Sequence, residues 1–296
     1  MNEIVQKISY LWLLLPLMMI QEVRAECTPT PDCASMGYTE TSCDGKYVRC
    51  PFDTSKLFCA PCDSTYQYSC SEANMASGVG ASCNNKYISC KCAKGYNFIN
   101  GLCECDTSCK VGNIYYSDGT CSYCVDSTKT AIGVIIKDNE LVLSKLSSST
   151  IKWATSYADV AGISNISTSD GALNDFNGKA NTIAIAATYT SNTSSNNAGV
   201  YCNSYSTEGT NAGDWYLPAF GEFYTYAYGN WSHYSEINAT LGRLGTPLSD
   251  RYMWTSTEFR ADMAWFIRTV NGAAYNDGKD LRSLSVACFL DIKISE

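Results

Sequence analysis

The chain has 296 residues, 17 cysteines, one histidine and a formal net charge of −8. An acidic chain without a cluster of cations cannot neutralise a phosphate backbone, which argues against nucleic acid as a partner. A lone histidine leaves a Ser-His-Asp or Cys-His site only one candidate base, and no H-E-x-x-H or P-loop motif occurs.

Residues 1–25 read as a secretory signal. Lys7 gives a weakly cationic start, residues 8–20 are almost wholly apolar, and Val23-Arg24-Ala25 supplies a small-x-small cleavage pattern. The apolar run is about a dozen residues, short of the roughly 20 that a bilayer span needs, so no membrane span is expected after signal removal. Glu26 stands where a lipidated Cys27 would require a small residue. A secreted or extracytoplasmic location, possible at the cell surface, is therefore expected.

Fifteen of the cysteines lie within 27–124. Behind an export signal, that density predicts a disulfide framework in an oxidising compartment. Cys59-x-x-Cys62 and Cys121-x-x-Cys124 also have zinc-ligand spacing, but oxidation is the favoured fate of exported thiols and no metal is expected.

Residues 26–124 contain a repeat. Ser42-Cys43-Asp44-Gly45-Lys46-Tyr47-Val48-Arg49-Cys50 aligns with Ser82-Cys83-Asn84-Asn85-Lys86-Tyr87-Ile88-Ser89-Cys90 at an offset of 40 residues. Each copy has a turn pair that tolerates positive φ, then a short alternating segment, which predicts a tight hairpin with a cysteine at each end. A truncated third unit runs from Cys109 to Cys124 with Asp118-Gly119 as its turn. Cys90-x-Cys92-x-x-Gly95-Tyr96 followed by Cys103 resembles the end of an EGF-like module. Units this small cannot bury enough apolar surface alone, so disulfides must restrict their unfolded states, and a spacer is the expected role.

After a polar junction at 125–130, cysteine density collapses and residues 131–296 read as a globular domain. Strands are predicted over 131–136 and 140–143, around the turn Lys137-Asp138-Asn139. A short helix is predicted over 153–160, a loop over 164–181, a helix over 182–188 and a polar loop over 191–197. Asp214-Trp215-Tyr216-Leu217-Pro218 reads as a strand stopped by proline. Helices follow over 219–228, with Phe220, Phe223, Tyr224 and Ala227 on one face, and over 236–244. Strands are predicted over 252–257, 264–270, 273–275 and 283–290, with Asn271-Gly272 as the clearest hairpin turn. Cys202 and Cys288 are the only cysteines of this domain. They are expected to pair, closing a loop of about 85 residues for roughly 4 kcal/mol.

The ordered set Cys202, Gly213-Asp214-Trp215-x-Leu217-Pro218, Glu222, Ile237-Asn238, Trp254-Thr255-Ser256-Thr257-Glu258, Ala264-Trp265, Asn271-Gly272, Lys279 and Cys288 resembles the C-terminal domain family of the bacterial collagen-like adhesin Lcl. The resemblance covers 200–290 and, more loosely, 131–290. It implies an α+β, C-type-lectin-like domain on secreted or surface proteins, linked to adhesion and glycan binding. Three positions depart from the family pattern. Tyr216 replaces an arginine, Tyr252-Met253 precedes Trp254 where Tyr-Trp is usual, and Ala287 replaces the arginine before Cys288. Two cations are thus missing, so bulk charge does not support binding to sulfated polysaccharide.

The candidate site follows from aromatics. Trp215, Trp254 and Trp265 alternate with polar residues on strands. Either all three are core, or one is exposed beside Glu258, Asp262 or Asn276 and stacks on a sugar. Trp254, Glu258, Asp262, Trp265 and Asn276 are the expected ligand-binding residues. The partner is then an extracellular glycan or a surface protein. A carboxylate pair for glycoside hydrolysis would come from Asp214, Glu222, Glu258 and Asp262. Glu222 reads better as a loop-orienting residue, His233 as a structural histidine, and no enzyme activity is expected. No cofactor is expected. Calcium has Asp- and Asn-rich loops to bind to, but the lectin triplets Glu-Pro-Asn and Trp-Asn-Asp are absent. The competing reading is a structural or protein-interaction component of the bacterial envelope without glycan binding.

Overall fold

The structure, a computed structural model, describes residues 34–38, 47–50, 53–59, 64–65, 67–80 and 85–292. The secretory signal, Cys27, the Asp44-Gly45 turn, Cys62 and Cys83 lie outside the described residues. The described residues fall into two compact units: one takes those up to Ser71 and within Ala76–Lys91, the other takes Glu72–Met75 and those from Cys92 onward.

In the first unit, β1 (Tyr47–Cys50) pairs antiparallel with β2 (Asp53–Cys59), Tyr47 opposite Cys59. The repeat's first strand therefore pairs with the chain that follows it, across residues 51–52. In the second copy Asn85 has φ 58°, the left-handed conformation expected of its turn. Tyr87 bridges to Tyr68, its N–H donating to the Tyr68 carbonyl at 2.8 Å, and Cys70 is bonded to Cys90. Two short strands, β3 (Met75–Gly78) and β4 (Cys90–Cys92), fall where the chain passes from one unit to the other.

The second unit opens with two stapled hairpins. Strand β5 (Tyr96–Ile99) pairs with β6 (Leu102–Cys105) across Asn100-Gly101, both at positive φ, and Cys92–Cys103 spans this segment. Strand β7 (Ile114–Tyr116) pairs with β8 (Cys121–Ser122) across the expected Asp118-Gly119 turn. Cys121 is bonded to Cys109 and Cys124 to Cys105, so neither thiol of that pair is available to zinc. Such disulfide density belongs to chains that mature in an oxidising, extracytoplasmic compartment. No helix among the described residues is long and apolar enough to cross a membrane.

Strand β7 also pairs with β9 (Ala131–Lys137), Ile114 opposite Val134. Residues 92–124 thus group with the α+β domain, and the division between units lies inside the cysteine-rich region rather than at 125–130. The full domain adds β10 (Leu141–Ser144), β11 (Ile151–Lys152), α1 (Ser169–Leu173), α2 (Gly178–Thr188), α3 (Ala198–Ser204), β12 (Trp215–Tyr216) and α4 (Phe220–Glu222). A π-helix (Phe223–Tyr228), α5 (Trp231–Arg243), β13 (Tyr252–Arg260), β14 (Met263–Arg268), β15 (Ala273–Gly278), β16 (Ser283–Leu284) and β17 (Phe289–Asp291) follow. One six-stranded sheet runs β12-β17-β10-β9-β7-β8, and β13-β14-β15 form a second sheet.

The central strands are apolar on both faces because both faces are covered. Val142 and Leu290 join Trp153, Trp215, Trp254, Ile185 and Cys202 in one buried cluster. Val134, Leu143 and Phe289 join Phe220, Phe223, Tyr234, Ile237 and Leu241 in the other. Period-2 alternation sends neighbouring side chains to opposite clusters. Buried Cys202 on α3 bonds to Cys288 just before β17, with Cα atoms 5.5 Å apart.

Three segments differ from expectation. Residues 153–160 form no helix: Trp153 is fully buried, its indole N–H donates to Thr255 O at 2.8 Å, and the chain runs on through bends and irregular backbone. The 164–181 stretch contains α1, whose cap Thr168 accepts from Gly171 N–H at 3.1 Å, and the first turn of α2. The final strand is broken in two: β16 pairs with β11, while β17 pairs with β10 and β12.

Candidate functional site

The aromatic residues proposed for stacking are core residues. Trp254 is 0% exposed, and its indole donates to Ile151 O at 3.0 Å. Trp265 is 4% exposed and donates to Ile166 O at 2.7 Å. The reason is coverage: loops 151–166 close over strands β13 and β14, and each indole N–H finds a carbonyl there. Asn276 lies opposite Trp265 on β15, and Asp262 is an exposed partner of Arg260. The structure therefore does not assemble these residues into a surface stacking site.

Glu258 is fully buried and ion-paired with Lys279, which is also fully buried. Both Glu258 oxygens accept from the Val160 N–H, at 3.3 and 3.4 Å, and Lys279 Nζ donates to Ala158 O at 2.6 Å. Burial pushes the Glu258 carboxyl up and the Lys279 ammonium down, each toward neutrality, while the partner opposes the shift.

Glu222 orients a loop. Its carboxylate accepts from Ala219 N–H at 2.8 Å, beside Gly178, where any Cβ would collide with it. Burial raises its carboxyl to about 7, with the charges of Asp175 and Asp291 adding to the shift. Asp175 in turn accepts from Thr257 at 2.7 Å and Asn181 at 3.2 Å. Asp214 accepts from Asn211 N–H at 2.7 Å within its own turn. The four carboxylates considered for hydrolysis are thus each engaged separately.

The larger concavity lies elsewhere, between the β9–β10 turn and the aromatic stretch leading into α5. It is an open groove of about 840 Å³. One wall is formed by Lys137, Asp138 and Glu140 of the β9–β10 turn. Asn139 takes φ 59° there, Lys137 and Glu140 are ion-paired, and Asp138 accepts from Val111 N–H at 2.7 Å. The other wall carries Tyr224, Tyr226, Asn230, His233 and Glu236. The π-helix produces this wall: the Gly229 N–H donates to the carbonyl of Tyr224, five residues back, so the turn is widened. Tyr228 anchors it from behind by packing on Gly272, where a Cβ would strike the ring. Asn230 then caps α5, accepting from Ser232 N–H at 3.0 Å.

Lys137 Nζ lies 5.5 Å from the Tyr226 ring centre. A second concavity of about 480 Å³ shares Lys110, Val111 and Glu236 with the groove and extends it toward Arg243, whose guanidinium lies 4.6 Å from the Tyr123 ring centre. The groove combines half-buried tyrosines with carboxylates, amides and cations, groups suited to stacking and planar hydrogen bonding. Among the described residues, no group of three or more His, Cys, Asp or Glu side chains is arranged to hold a metal ion. The sequence signal for this wall is the aromatic run from Tyr224 to Tyr234, in which sequence reasoning placed Tyr224 on a helix face and read His233 as structural.

No protein-family model matches the chain, and no curated protein does. A solved structure of a fimbrial protein from Bacteroides ovatus is similar at 16% identity and a TM-score of 0.49, over 62% of this chain. The chain spans about half the length of that protein, 49%.

Proposed function

We propose that the chain is a secreted or cell-surface binding protein that recognises an extracellular glycan through the groove between residues 137–140 and 224–236. The cysteine-rich repeats act as its spacer. The groove itself carries this reading: half-buried Tyr224 and Tyr226 line it together with Asp138, Asn230 and Glu236, the residue types that pack on a pyranose and bond its hydroxyls. The sequence resemblance of residues 131–290 to the Lcl C-terminal domain family, which implies adhesion and glycan binding, supports the same reading. The mixed cations and anions of the groove favour a neutral or weakly charged sugar over a sulfated polymer. Binding rather than turnover is proposed, because the carboxylates considered for hydrolysis are occupied by structural partners.

A glycan array probed with the full chain, with and without calcium, tests the proposal. Binding to a defined sugar that is lost in Tyr226→Ala supports it. No binding to any sugar overturns it in favour of a protein-interaction role, for which Trp231 at the start of α5, 62% accessible, is one exposed apolar residue.

A further inference from the structure

The Lys279–Glu258 pair is used by no part of the binding proposal. The local chain puts it together deliberately. The β13–β14 register shifts on both sides of Glu258, and this irregularity turns the carboxylate inward, so residues 253–258 are buried without alternation. Lys279 directly follows β15 and is held by its backbone on both sides: its N–H donates to Asp262 O and its carbonyl accepts from Ala154 N–H, both at 3.0 Å. Its side chain then runs into the core, where Nζ lies 4.6 Å from the centre of the Trp153 ring, bonds Ala158 O and touches Glu258. Both side chains are 0% exposed.

We propose that Lys279 and Glu258 condense into an intramolecular amide cross-link between β13 and the end of β15. Proton transfer from the ammonium to the carboxylate produces an amine and a carboxylic acid, the neutral pair favoured by a dry site. The amine lone pair attacks Cδ of Glu258, and the Val160 N–H, already aimed at both carboxyl oxygens, stabilises the oxygen that takes up charge. The hydroxyl then leaves with a proton from Nζ as water. One C–N bond forms, one C–O bond breaks, one water is released, and nothing is oxidised or reduced.

The product suits its surroundings. The amide N–H keeps Ala158 O as acceptor, the amide oxygen keeps Val160 N–H as donor, and two buried charges disappear. Enclosure supplies the effective concentration for condensation and excludes the water needed for reversal.

Mass spectrometry of the full chain, secreted with its disulfides formed and then reduced and denatured, decides the matter. The expected chain is lighter than its sequence by one water. A tryptic digest is expected to yield Tyr252–Arg260 joined to residues 269–282, with Lys279 uncut. Lys279→Met restores the full mass. An unshifted mass, with free Tyr252–Arg260 and a peptide ending at Lys279, overturns the proposal. The wild-type digest is decisive even if the variant does not fold.

Discussion

The hairpins of residues 92–124 and the domain of residues 131–292 solve the same stability problem by different means. In the hairpins, β5 and β6 leave Ile99 and Leu102 43% and 56% exposed, and three disulfides within 33 residues hold the chain. In the domain, two apolar clusters cover both faces of one sheet, and a single disulfide joins distant segments. The first arrangement restricts the unfolded state; the second gains from burial in the folded one. Where the two meet, at β7, the stapled chain becomes a core strand, with Ile114 and Tyr116 almost wholly buried.

Reduction breaks this comparison most strongly. Each of Cys92–Cys103, Cys105–Cys124 and Cys109–Cys121 closes a loop worth roughly 3 kcal/mol, and Cys202–Cys288 about 4 kcal/mol. Reductant is therefore expected to abolish amide-exchange protection in residues 92–108, while the domain, with β7 still in its sheet, unfolds at lower denaturant but cooperatively. Simultaneous loss of both would show that the β5–β6 hairpin, like β7, is integral to the core.

Next is the buried pair. Lys279→Ala leaves Glu258 buried without its partner, and urea unfolding is expected to show a loss of about 3–5 kcal/mol. A loss below about 1 kcal/mol would mean that water reaches the site.

Glu222 sharpens the comparison by pH. Its carboxyl rises from 4.5 to about 7 in the fold, so the folded state binds that proton more tightly. Its stabilising contribution is complete below about pH 4.5 and is lost as pH rises through about 7, on the order of 3 kcal/mol over that window. Unfolding free energies measured across it should flatten in Glu222→Gln.

The smallest expected change in stability is at the groove. Tyr226→Ala, at a half-buried surface position, should shift stability by about 1 kcal/mol or less while removing sugar binding, as read by melting and by the array.

Much of the architecture was legible before any coordinates. Cysteine density marked the stapled region, and hydrophobic runs with Asn271-Gly272 marked the sheet strands and the β14–β15 hairpin. Asn100-Gly101 carries the same kind of signal for the β5–β6 hairpin. The 153–160 segment reads as helix because its apolar residues are spaced like a helix face. Trp153 and Val160 are buried against different neighbours, Trp153 bonded to Thr255 and Val160 to Glu258, while Tyr157 stays exposed.

The sequence by itself determined the covalent class of the first region and the mixed α+β class of the second, because cysteine spacing and hydrophobic period are local properties. Only the tertiary structure decided that Trp254 and Trp265 are covered, that Glu258 meets a lysine 21 positions away, and that the 137–140 turn faces Tyr226 across a groove. Periodicity states which side of a strand is apolar. It carries no information on which distant segment closes over that side, and burial, charge pairing and concavity all depend on that segment.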